Sequence, residues 1–255
     1  MRNMDVEEQV DVVIADGWPT SSEMLSSVVR RSGHSVVAAS EIDAAVRLVK
    51  AKQPGVVLID TGLGAADGWT VVQRMRDACV KAILIAVGPD DEDAKVQALL
   101  RGCDDYLVKP VPQHELAVRV GAWLRLLRRL GAPRTDEVYD DGLVSLHAGL
   151  RRVEVAGSEV SLTPLEFRLM TALVQNRDRV VSRDELQEAT WHGAAPPGGD
   201  HVKLYVHYLR RKLNEHTPEE LIQTVRGFGY RWIERGAGIE REPAGDLHAL
   251  RAHTV

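Results

Sequence analysis

Short apolar runs alternate with amphipathic helical patterns over the first 130 residues of the chain. The runs are rich in Val and Ile, which is typical of strands buried on both faces of a sheet, and they cover residues 10–15, 36–39, 56–59, 83–87 and 106–108. Helical patterns cover residues 20–32, 41–52, 68–78, 92–101 and 113–129. Five strands alternating with five helices predict an α/β doubly wound parallel sheet. The active crevice of such a sheet lies at the carboxyl ends of its strands.

The pattern changes after residue 130. Residues 130–141 mix Gly, Pro and charge and are typical of a linker, and short β-like runs follow at 143–146, 152–155 and 160–162. Thr163-Pro164-Leu165-Glu166 is a capping box that opens a helix to about Gln175, and Ser182-Arg183-Asp184-Glu185 opens another to about Trp191. A long helix over 201–215 and two strands around 226–229 complete this part. We therefore expect domains at 8–129 and 142–233, a linker at 130–141 and a disordered tail at 234–255.

Length and composition agree with two globular domains in one chain. The 255 residues are 44% hydrophobic and 27% charged, which is enough to build a core in each domain. Cys79 and Cys103 are too few for a disulfide framework, so both are expected to stay reduced. The N-terminus lacks the apolar stretch of a signal peptide, and no run approaches the length of a membrane span. We expect a cytoplasmic protein with no membrane partner.

The positive charge of the chain is concentrated in one part of the second half. The whole chain carries a net charge of −5, so any nucleic-acid binding must come from a local patch. Residues 201–213 hold four Lys or Arg and no acid, and aromatic and His side chains are interleaved with them. Arg226 and Arg231 add to this charge in the following strands. A surface that meets phosphates and base edges has this pattern, and the alternative is a solvated basic helix face.

Charged residues follow three of the predicted strands. Asp16 follows the first strand, Asp60 the third, and Lys109 the fifth. A carboxylate in the shared crevice can attack a phosphoryl donor, a second one can help to hold Mg²⁺, and a lysine can neutralise phosphoryl oxygens. The alternative is that each aspartate is a turn or helix-capping residue. The convergence of all three at one sheet edge favours the phosphoryl-transfer interpretation.

Two strings in this sequence resemble a known family. Asp60-Thr61-Gly62-Leu63-Gly64-Ala65-Ala66-Asp67-Gly68-Trp69, together with Gly102-Cys103-Asp104-Asp105-Tyr106-Leu107-Val108-Lys109-Pro110, resembles the flavodoxin-like receiver domain of bacterial response regulators. The stretch from Leu162-Thr163-Pro164-Leu165-Glu166-Phe167 to Thr224-Val225-Arg226-Gly227-Phe228-Gly229-Tyr230-Arg231 resembles the winged-helix DNA-binding domain of the OmpR/PhoB subfamily. The resemblance implies that Asp60 is the phospho-acceptor, Lys109 contacts the phosphate, 201–213 is the recognition helix and 224–230 is the wing.

The sequence departs from the family pattern at two receiver positions. Gly17 follows Asp16 where the family usually has a second acid, so Asp16 and Asp60 form an incomplete metal site. We expect that Mg²⁺ binds weakly there and that no cofactor is required. Val87 stands where the family usually has Thr or Ser, so the switch position lacks a hydroxyl. Together these changes predict an atypical receiver whose activation depends weakly, or not at all, on phosphorylation of Asp60.

The resemblance also implies two interaction surfaces. The receiver would form a homodimer through charged residues on its fourth helix, fifth strand and fifth helix, although Gly121 replaces a frequent arginine; these residues are Lys95, Asp104, Asp105, Glu115 and Arg119. The alternative is a solvated helix face. Double-stranded promoter DNA would be contacted by Arg210 and Arg211 at phosphates, by Arg226 in the minor groove, and by base-reading residues on the recognition helix. The full set expected at the DNA is His201, Lys203, Leu204, His207, Tyr208, Arg210, Arg211, Thr224, Arg226 and Gly227.

The leading interpretation is a sequence-specific DNA-binding transcriptional regulator that is not an enzyme. The alternatives are a conventional kinase-driven phospho-Asp60 switch, a receiver-based signalling adapter with incidental DNA contact, and an enzyme that turns over a phosphorylated substrate at Asp60. The incomplete metal site argues against the enzyme. A sensor kinase or a small molecule in the acidic crevice would supply the signal. The resemblance also implies RNA polymerase as a partner, since the loop at 192–199 matches the stretch that contacts it in relatives; the alternative is a flexible connector.

Overall fold

The computed structural model describes residues 10–64, 68–131, 138–191 and 201–234. The expected tail at 234–255, apart from residue 234, and the loop at 192–199 lie outside the described residues, as does half of the expected linker. The helices are α1 (Pro19–Arg31), α2 (Ile42–Lys52), α3 (Gly68–Ala78), α4 (Glu92–Leu100), α5 (Gln113–Gly131), α6 (Pro164–Gln175), α7 (Arg183–Trp191) and α8 (His201–Asn214). The strands are β1 (Val12–Ala15), β2 (Val36–Ala39), β3 (Val56–Asp60), β4 (Ile83–Gly88), β5 (Asp105–Val108), β6 (Val138–Asp140), β7 (Val144–His147), β8 (Arg152–Val155), β9 (Ser158–Glu159), β10 (Val181–Ser182), β11 (Ile222–Val225) and β12 (Gly229–Trp232).

The first domain is the predicted doubly wound parallel sheet. Its strands lie in the order β2-β1-β3-β4-β5, all parallel. Side chains of β1, β3 and β4 alternate between two buried clusters, one against α1 and α5 and the other against α2 and α3. Burial on both faces explains why these strands are continuous apolar runs. The register sets Asp60 beside Val87, so the expected phospho-acceptor and the expected switch position are neighbours at the carboxyl end of the sheet.

The second domain combines two small antiparallel sheets with three helices. The first sheet has the order β6-β7-β8-β9, and the second has the order β10-β12-β11. The predicted capping box at the start of α6 is confirmed: the Thr163 hydroxyl accepts from the Glu166 N–H, and the Glu166 carboxylate accepts from the Thr163 N–H. A side chain on Gly229 would overlap the Val181 carbonyl oxygen, so glycine is needed where β10 and β12 approach closely.

The expected linker at 130–141 is wrong at both of its ends. The helix α5 continues to Gly131, and β6 begins at Val138, where it pairs with β7. The sequence pattern did not predict this edge strand, because it contains a single valine next to charged residues and is only slightly buried. Its partner β7 lies further along the chain. Cys79 and Cys103 are both buried and not disulfide-bonded, as expected. Among the described helices, none is long and apolar enough to cross a membrane.

Candidate functional site

The carboxyl ends of β1, β3 and β5 bring Asp16, Asp60 and Lys109 together. One oxygen of Asp60, Oδ1, accepts from the Lys109 ammonium at 2.9 Å and from the Gly62 N–H at 3.0 Å. Asp16 Oδ1 accepts from the Trp18 N–H at 2.8 Å, which closes the turn before α1. The peptide bond between Lys109 and Pro110 is cis. The crevice therefore has a fixed carboxylate with a cation at its side, as a phosphoryl acceptor requires.

Each aspartate keeps its second oxygen buried in the crevice. Asp16 is 1% exposed and Asp60 is 4% exposed, and the Oδ2 atoms of both have no hydrogen-bond partner among the described residues. Two such oxygens fit part of the ligand set of a hard dication, which takes six or more oxygens. No group of three or more His, Cys, Asp or Glu side chains is placed to hold a metal within the described parts of the chain. Asp16 and Asp60 are thus the two carboxylates that the described residues bring to the crevice, and an incomplete metal site stays a prediction.

The structure has room for a side chain at position 17, so the absence of an acid there is due to the residue type and not to a lack of space. A β-carbon added at Gly17 would lie 3.2 Å from the Leu63 Cδ1 methyl and 3.7 Å from the Ser40 carbonyl oxygen. The first contact is with the end of a flexible side chain, and the second is ordinary van der Waals contact. A side chain would therefore fit at position 17 after a small shift of Leu63.

A chain of hydroxyl groups lies over the end of β4, where Val87 supplies none. The Thr61 hydroxyl hydrogen-bonds the Tyr106 hydroxyl, which donates to the Pro89 carbonyl at 2.9 Å. Burial, and then the Asp91 carboxylate, raise the pKa of Tyr106 to about 12, so this phenol stays protonated. A β-carbon at Gly88 would overlap both hydroxyl oxygens. Gly88 thus makes the space in which Thr61 and Tyr106 meet.

The helix α8 and the turn after β11 form the candidate nucleic-acid interface. Lys203, His207 and Arg211 are exposed at intervals of four residues and so lie along one side of α8, with Leu204 and Tyr208 half-buried beside them. The turn at 226–228 exposes Arg226, and Gly227 takes a φ of 80° that favours glycine. Phe228 is 74% exposed at the same turn. Sequence reasoning left out Phe228, although an exposed aromatic at a turn is an unusual feature.

Two residues expected at the DNA are used differently in the structure. His201 is buried and its ring centroid lies 6.2 Å from that of Trp191, so this side chain is part of the core. Arg210 donates to the Ile222 carbonyl at 2.6 Å and to the Thr224 hydroxyl at 2.8 Å. These bonds tie α8 to β11, and Arg210 therefore positions the wing instead of reaching outward to a phosphate.

The residues expected at a receiver dimer also differ from expectation. Asp104 and Asp105 are buried, and each accepts hydrogen bonds from other residues of the chain. Arg119 donates to the two oxygens of Asp105 at 2.9 and 3.0 Å and to Glu115 at 2.9 Å, and Trp123 donates to Asp105 at 3.0 Å. Burial raises the pKa of Asp105, and the Arg119 guanidinium opposes this shift. Lys95 pairs with Asp90 at 2.5 Å.

Two tyrosines of α8 contact the receiver. The Tyr205 hydroxyl donates to Asp104 Oδ1 at 3.0 Å, and the Tyr208 hydroxyl donates to the Leu99 carbonyl at 2.7 Å. Arg76 donates to the other Asp104 oxygen at 2.6 Å. Sequence reasoning missed Arg76 and this use of Tyr205, because contacts between residues about 100 positions apart leave no local pattern.

The fold and the two surfaces define a class of protein: a phospho-acceptor-type receiver domain joined to a winged-helix DNA-binding domain. Residues 12–121 match the family described as "Response regulator receiver domain", and residues 157–232 match "Transcriptional regulatory protein, C terminal". The chain belongs to the OmpR/PhoB-type transcriptional response regulators.

Similar proteins cover nearly the whole chain. The response regulator MtrA of Mycolicibacterium smegmatis is 34% identical over 86% of this chain and 95% of its own length. The probable transcriptional regulatory protein TcrX of Mycobacterium tuberculosis is 30% identical over 90% of this chain and 97% of its own. A structure of a RitR variant, 21% identical, covers 88% of this chain and 99% of its own with a TM-score of 0.72, which supports the fold.

Proposed function

We propose that this regulator binds promoter DNA as a homodimer, with α8 in the major groove and the turn at 226–228 in the adjacent minor groove. The observation that carries the proposal is the exposed line of Lys203, His207 and Arg211 on α8 beside the exposed Arg226. Cations on a helix supply the sequence-independent attraction to phosphates, while their neighbours on the same side face the base edges. His207 and Tyr208 place an imidazole and a phenol where base contacts are made, which differs from a bidentate arginine contact to guanine.

The test is selection of bound duplexes from a random library, followed by binding of the selected site at several salt and protein concentrations. We expect a palindromic or direct-repeat site, since two copies present two helices to the DNA. Lys203→Ala is expected to weaken binding to all duplexes. A selected site that is a single half-site, bound with one protein per duplex at saturation, would refute the dimer.

Activation is proposed to depend weakly, or not at all, on phosphorylation of Asp60. Gly17 supplies no side-chain oxygen for a cation beside Asp16, and Val87 supplies no hydroxyl for a phosphoryl group on Asp60. The proposal is supported by the two carboxylate oxygens in the crevice, which no third acid joins among the described residues, because a dication with fewer carboxylates binds more weakly. Mg²⁺ would be held by Asp16 and Asp60, and its role when bound is to neutralise charge on phosphoryl oxygens.

The first experiment is the intact mass of the protein after treatment with acetyl phosphate and Mg²⁺, with Asp60→Asn as the matched control. We expect no phosphoryl adduct, or a small fraction of one. A stoichiometric adduct on the wild type that is absent from Asp60→Asn would refute weak dependence and establish a phosphorylatable switch.

One observation favours the second candidate, a kinase-driven switch. Asp60 is already held by the Gly62 N–H and the Lys109 ammonium, so the acceptor and its phosphate-contacting lysine are in place. Titration of the protein with a purified phosphodonor kinase domain, followed by DNA binding, separates the two candidates. An increase in DNA affinity that requires both the kinase and Asp60 supports the kinase-driven switch.

A further inference from the structure

One large apolar side chain stands out from the candidate nucleic-acid interface. The chain has two phenylalanines: Phe167 is buried in the core of the second domain, whereas Phe228 is 74% exposed. Phe228 lies with Arg226 and Gly227 in the turn that joins β11 to β12, and we call these three residues the wing tip. Exposure of a phenyl ring to water is unfavourable, so a partner that covers Phe228 gains affinity.

The wing tip belongs to a cationic surface. Residues 221–233 contain Arg226 and Arg231 and no acid, and both arginines are exposed. Gln223 and Thr224 are exposed on the same hairpin and add polar groups. A partner that fits this surface carries negative charge together with an apolar interior that a ring can reach. A DNA groove has both, since phosphates line its edges and stacked bases form its floor.

We propose that Phe228 is a wedge, which enters the minor groove beside Arg226 and partly unstacks one base step. This inference rests on the proposed binding of promoter DNA and adds to it a means of selecting sequence. A phenyl ring cannot hydrogen-bond the base edges, so it acts through stacking and through deformation of the duplex. Arg226 has a different task, since its guanidinium is attracted by the negative potential of a narrow groove.

The wing tip holds Phe228 away from the rest of the protein. The Phe228 N–H donates to the Val225 carbonyl at 3.0 Å, which closes a four-residue turn, and Gly227 has the third position with a φ of 80°, as a type II turn requires. Among the described residues, apart from its two chain neighbours, no heavy atom lies within 4 Å of a β-carbon built at Gly227. The tip is therefore short and open on its outer side, which suits a groove about 6 Å wide.

The strands beneath the wing tip are fixed on both sides. Gly229, next to Phe228, approaches the Val181 carbonyl so closely that a β-carbon would overlap its oxygen, so β12 is packed against β10. On the other side, Arg210 of α8 donates to the Ile222 carbonyl of β11 at 2.6 Å. The ring is thus presented by the same rigid unit that presents α8. Insertion of a side chain from a rigid support loses little conformational freedom, which favours affinity.

A wedge selects sequence without a hydrogen bond to a base. The free energy needed to unstack a step depends on the step and is lowest at flexible pyrimidine–purine steps such as TA and CA. We therefore expect such a step where the wing tip lies, with the duplex kinked there towards the major groove. His207 and Tyr208 are proposed to contact base edges in the neighbouring major groove, so the two parts of a half-site would be selected by different physical properties of the DNA.

The test uses the full chain and the duplex selected from the random library. The fluorescent base 2-aminopurine, which brightens when it is unstacked, replaces adenine at one position after another, and the bend is measured by energy transfer between dyes at the duplex ends. With the wild type we expect increased fluorescence at one step in each half-site and a bent duplex. Phe228→Ala should lose both signals and bind about tenfold more weakly, because the stacking of a base on the ring is lost. The slope of log K against log salt should not change, since the ring carries no charge.

The matched control is Leu150→Ala, which removes a side chain that is 73% exposed in the turn between β7 and β8. It should change neither the fluorescence, the bend nor the affinity. Phe228→Leu keeps an apolar wedge and should retain part of the bend. Because the side chains of Phe228 and Leu150 are exposed, both alanine variants should melt with the wild type.

The outcomes separate the wedge from DNA binding itself. If the wild type binds the selected duplex without unstacking or bending it, or if Phe228→Ala binds and bends the duplex as the wild type does, the wedge is refuted and the proposed DNA binding stands. If Phe228→Ala instead loses binding to vesicles of phosphatidylcholine and phosphatidylglycerol while its DNA binding is unchanged, the ring belongs to a lipid-binding surface and the wedge is refuted. If the wild type binds no duplex, the proposed function fails and the wedge fails with it.

Discussion

Replacement of Gly88 by alanine tests whether the Thr61 and Tyr106 hydroxyl groups pack closely against this glycine at the end of β4. The added β-carbon would overlap both hydroxyl oxygens and would lie 3.1 Å from Tyr106 Cζ. Since Gly88 belongs to β4 and pairs with Val108, its backbone cannot move far, so the side chains must give way. Tyr106 is expected to leave its buried position and to lose the Pro89 carbonyl as a partner.

The magnitude follows from the contacts that are lost. Two hydrogen bonds, Thr61 to Tyr106 and Tyr106 to Pro89, each contribute about 1 kcal/mol. Residual steric overlap destabilises the folded protein by about 1 kcal/mol more. Alanine also lowers the conformational entropy of the unfolded chain, which offsets about half of that loss. The free energy of unfolding of the receiver should therefore fall by about 2–3 kcal/mol, which for a domain of this size lowers the melting temperature by roughly 10–15 °C.

The assay is thermal unfolding by circular dichroism, combined with an ultraviolet titration of the tyrosines. Because the pKa of Tyr106 is raised to about 12 in the folded protein, the unfolded chain releases this proton first as pH rises above 10. The contribution of Tyr106 to stability is therefore fully present below pH 10 and is lost as pH rises towards 12. In Gly88→Ala the exposed phenol should titrate closer to its ordinary value, with Tyr106→Phe identifying its signal.

A double mutant gives the decisive comparison. Thr61→Ala removes one of the two oxygens that the new β-carbon would meet, so Thr61→Ala combined with Gly88→Ala should cost about 1 kcal/mol less than the sum of the single changes. Additive losses, or a Gly88→Ala variant that melts with the wild type and leaves Tyr106 with a raised pKa, would refute the close approach of these groups at Gly88.

The other predictions concern the crevice and the DNA surface. Gly17→Asp, which fits against the tip of Leu63, should tighten Mg²⁺ binding by about tenfold or more in isothermal titration calorimetry. Gly17→Asn should gain less because it adds no charge. Unchanged affinity in both variants would contradict a metal site that lacks an acid. Arg226→Ala should weaken DNA binding and reduce the slope of log K against log salt by about one, and an unchanged slope would count against contact of the wing with a phosphate. Arg210→Ala should lower the stability of the DNA-binding domain by about 1–3 kcal/mol, because its hydrogen bonds to Ile222 and Thr224 are lost. The slope of log K against log salt should not change. A folded variant with a reduced slope would place Arg210 at a phosphate.

The elements that the sequence predicts well are those whose signals are local. The boundaries of α6 follow from its capping box and Pro164, and the buried strands β3 and β4 follow from continuous apolar runs. Convergence of Asp16, Asp60 and Lys109 follows from one rule, since residues after parallel strands share an edge. Each of these inferences needs only neighbours within a few positions and a fixed handedness of the connections.

Three charged residues were misplaced because their partners lie far away in sequence. Asp104 and Asp105 look like surface acids in the string Cys103-Asp104-Asp105, and both are buried because Arg76 and Arg119 reach them from α3 and α5. Arg210 looks like a phosphate ligand until β11 supplies the Ile222 carbonyl. The residue type gives the sign of a side chain's charge, but tertiary packing decides which residue pairs with that charge.

The departures from the family pattern at Gly17 and Val87 affect the same end of the sheet as the hydrogen-bonded hydroxyl groups of Thr61 and Tyr106. A receiver that signals through a phosphoryl group needs a cation to bind that group and a hydroxyl to respond to it. Here Gly17 adds no side-chain oxygen for a dication and Val87 has no hydroxyl, while Thr61 and Tyr106 hydrogen-bond each other over the same strand end beside Gly88. Tyr106 is held in place by the Thr61 hydroxyl and the Pro89 carbonyl, and the Asp60 charge adds to the rise in its pKa. Between α8 and the receiver, the Tyr205 hydroxyl donates to Asp104 and the Tyr208 hydroxyl donates to the Leu99 carbonyl. Because Tyr208 is also expected at the base edges, its bond to Leu99 would have to break before α8 could enter a major groove as proposed.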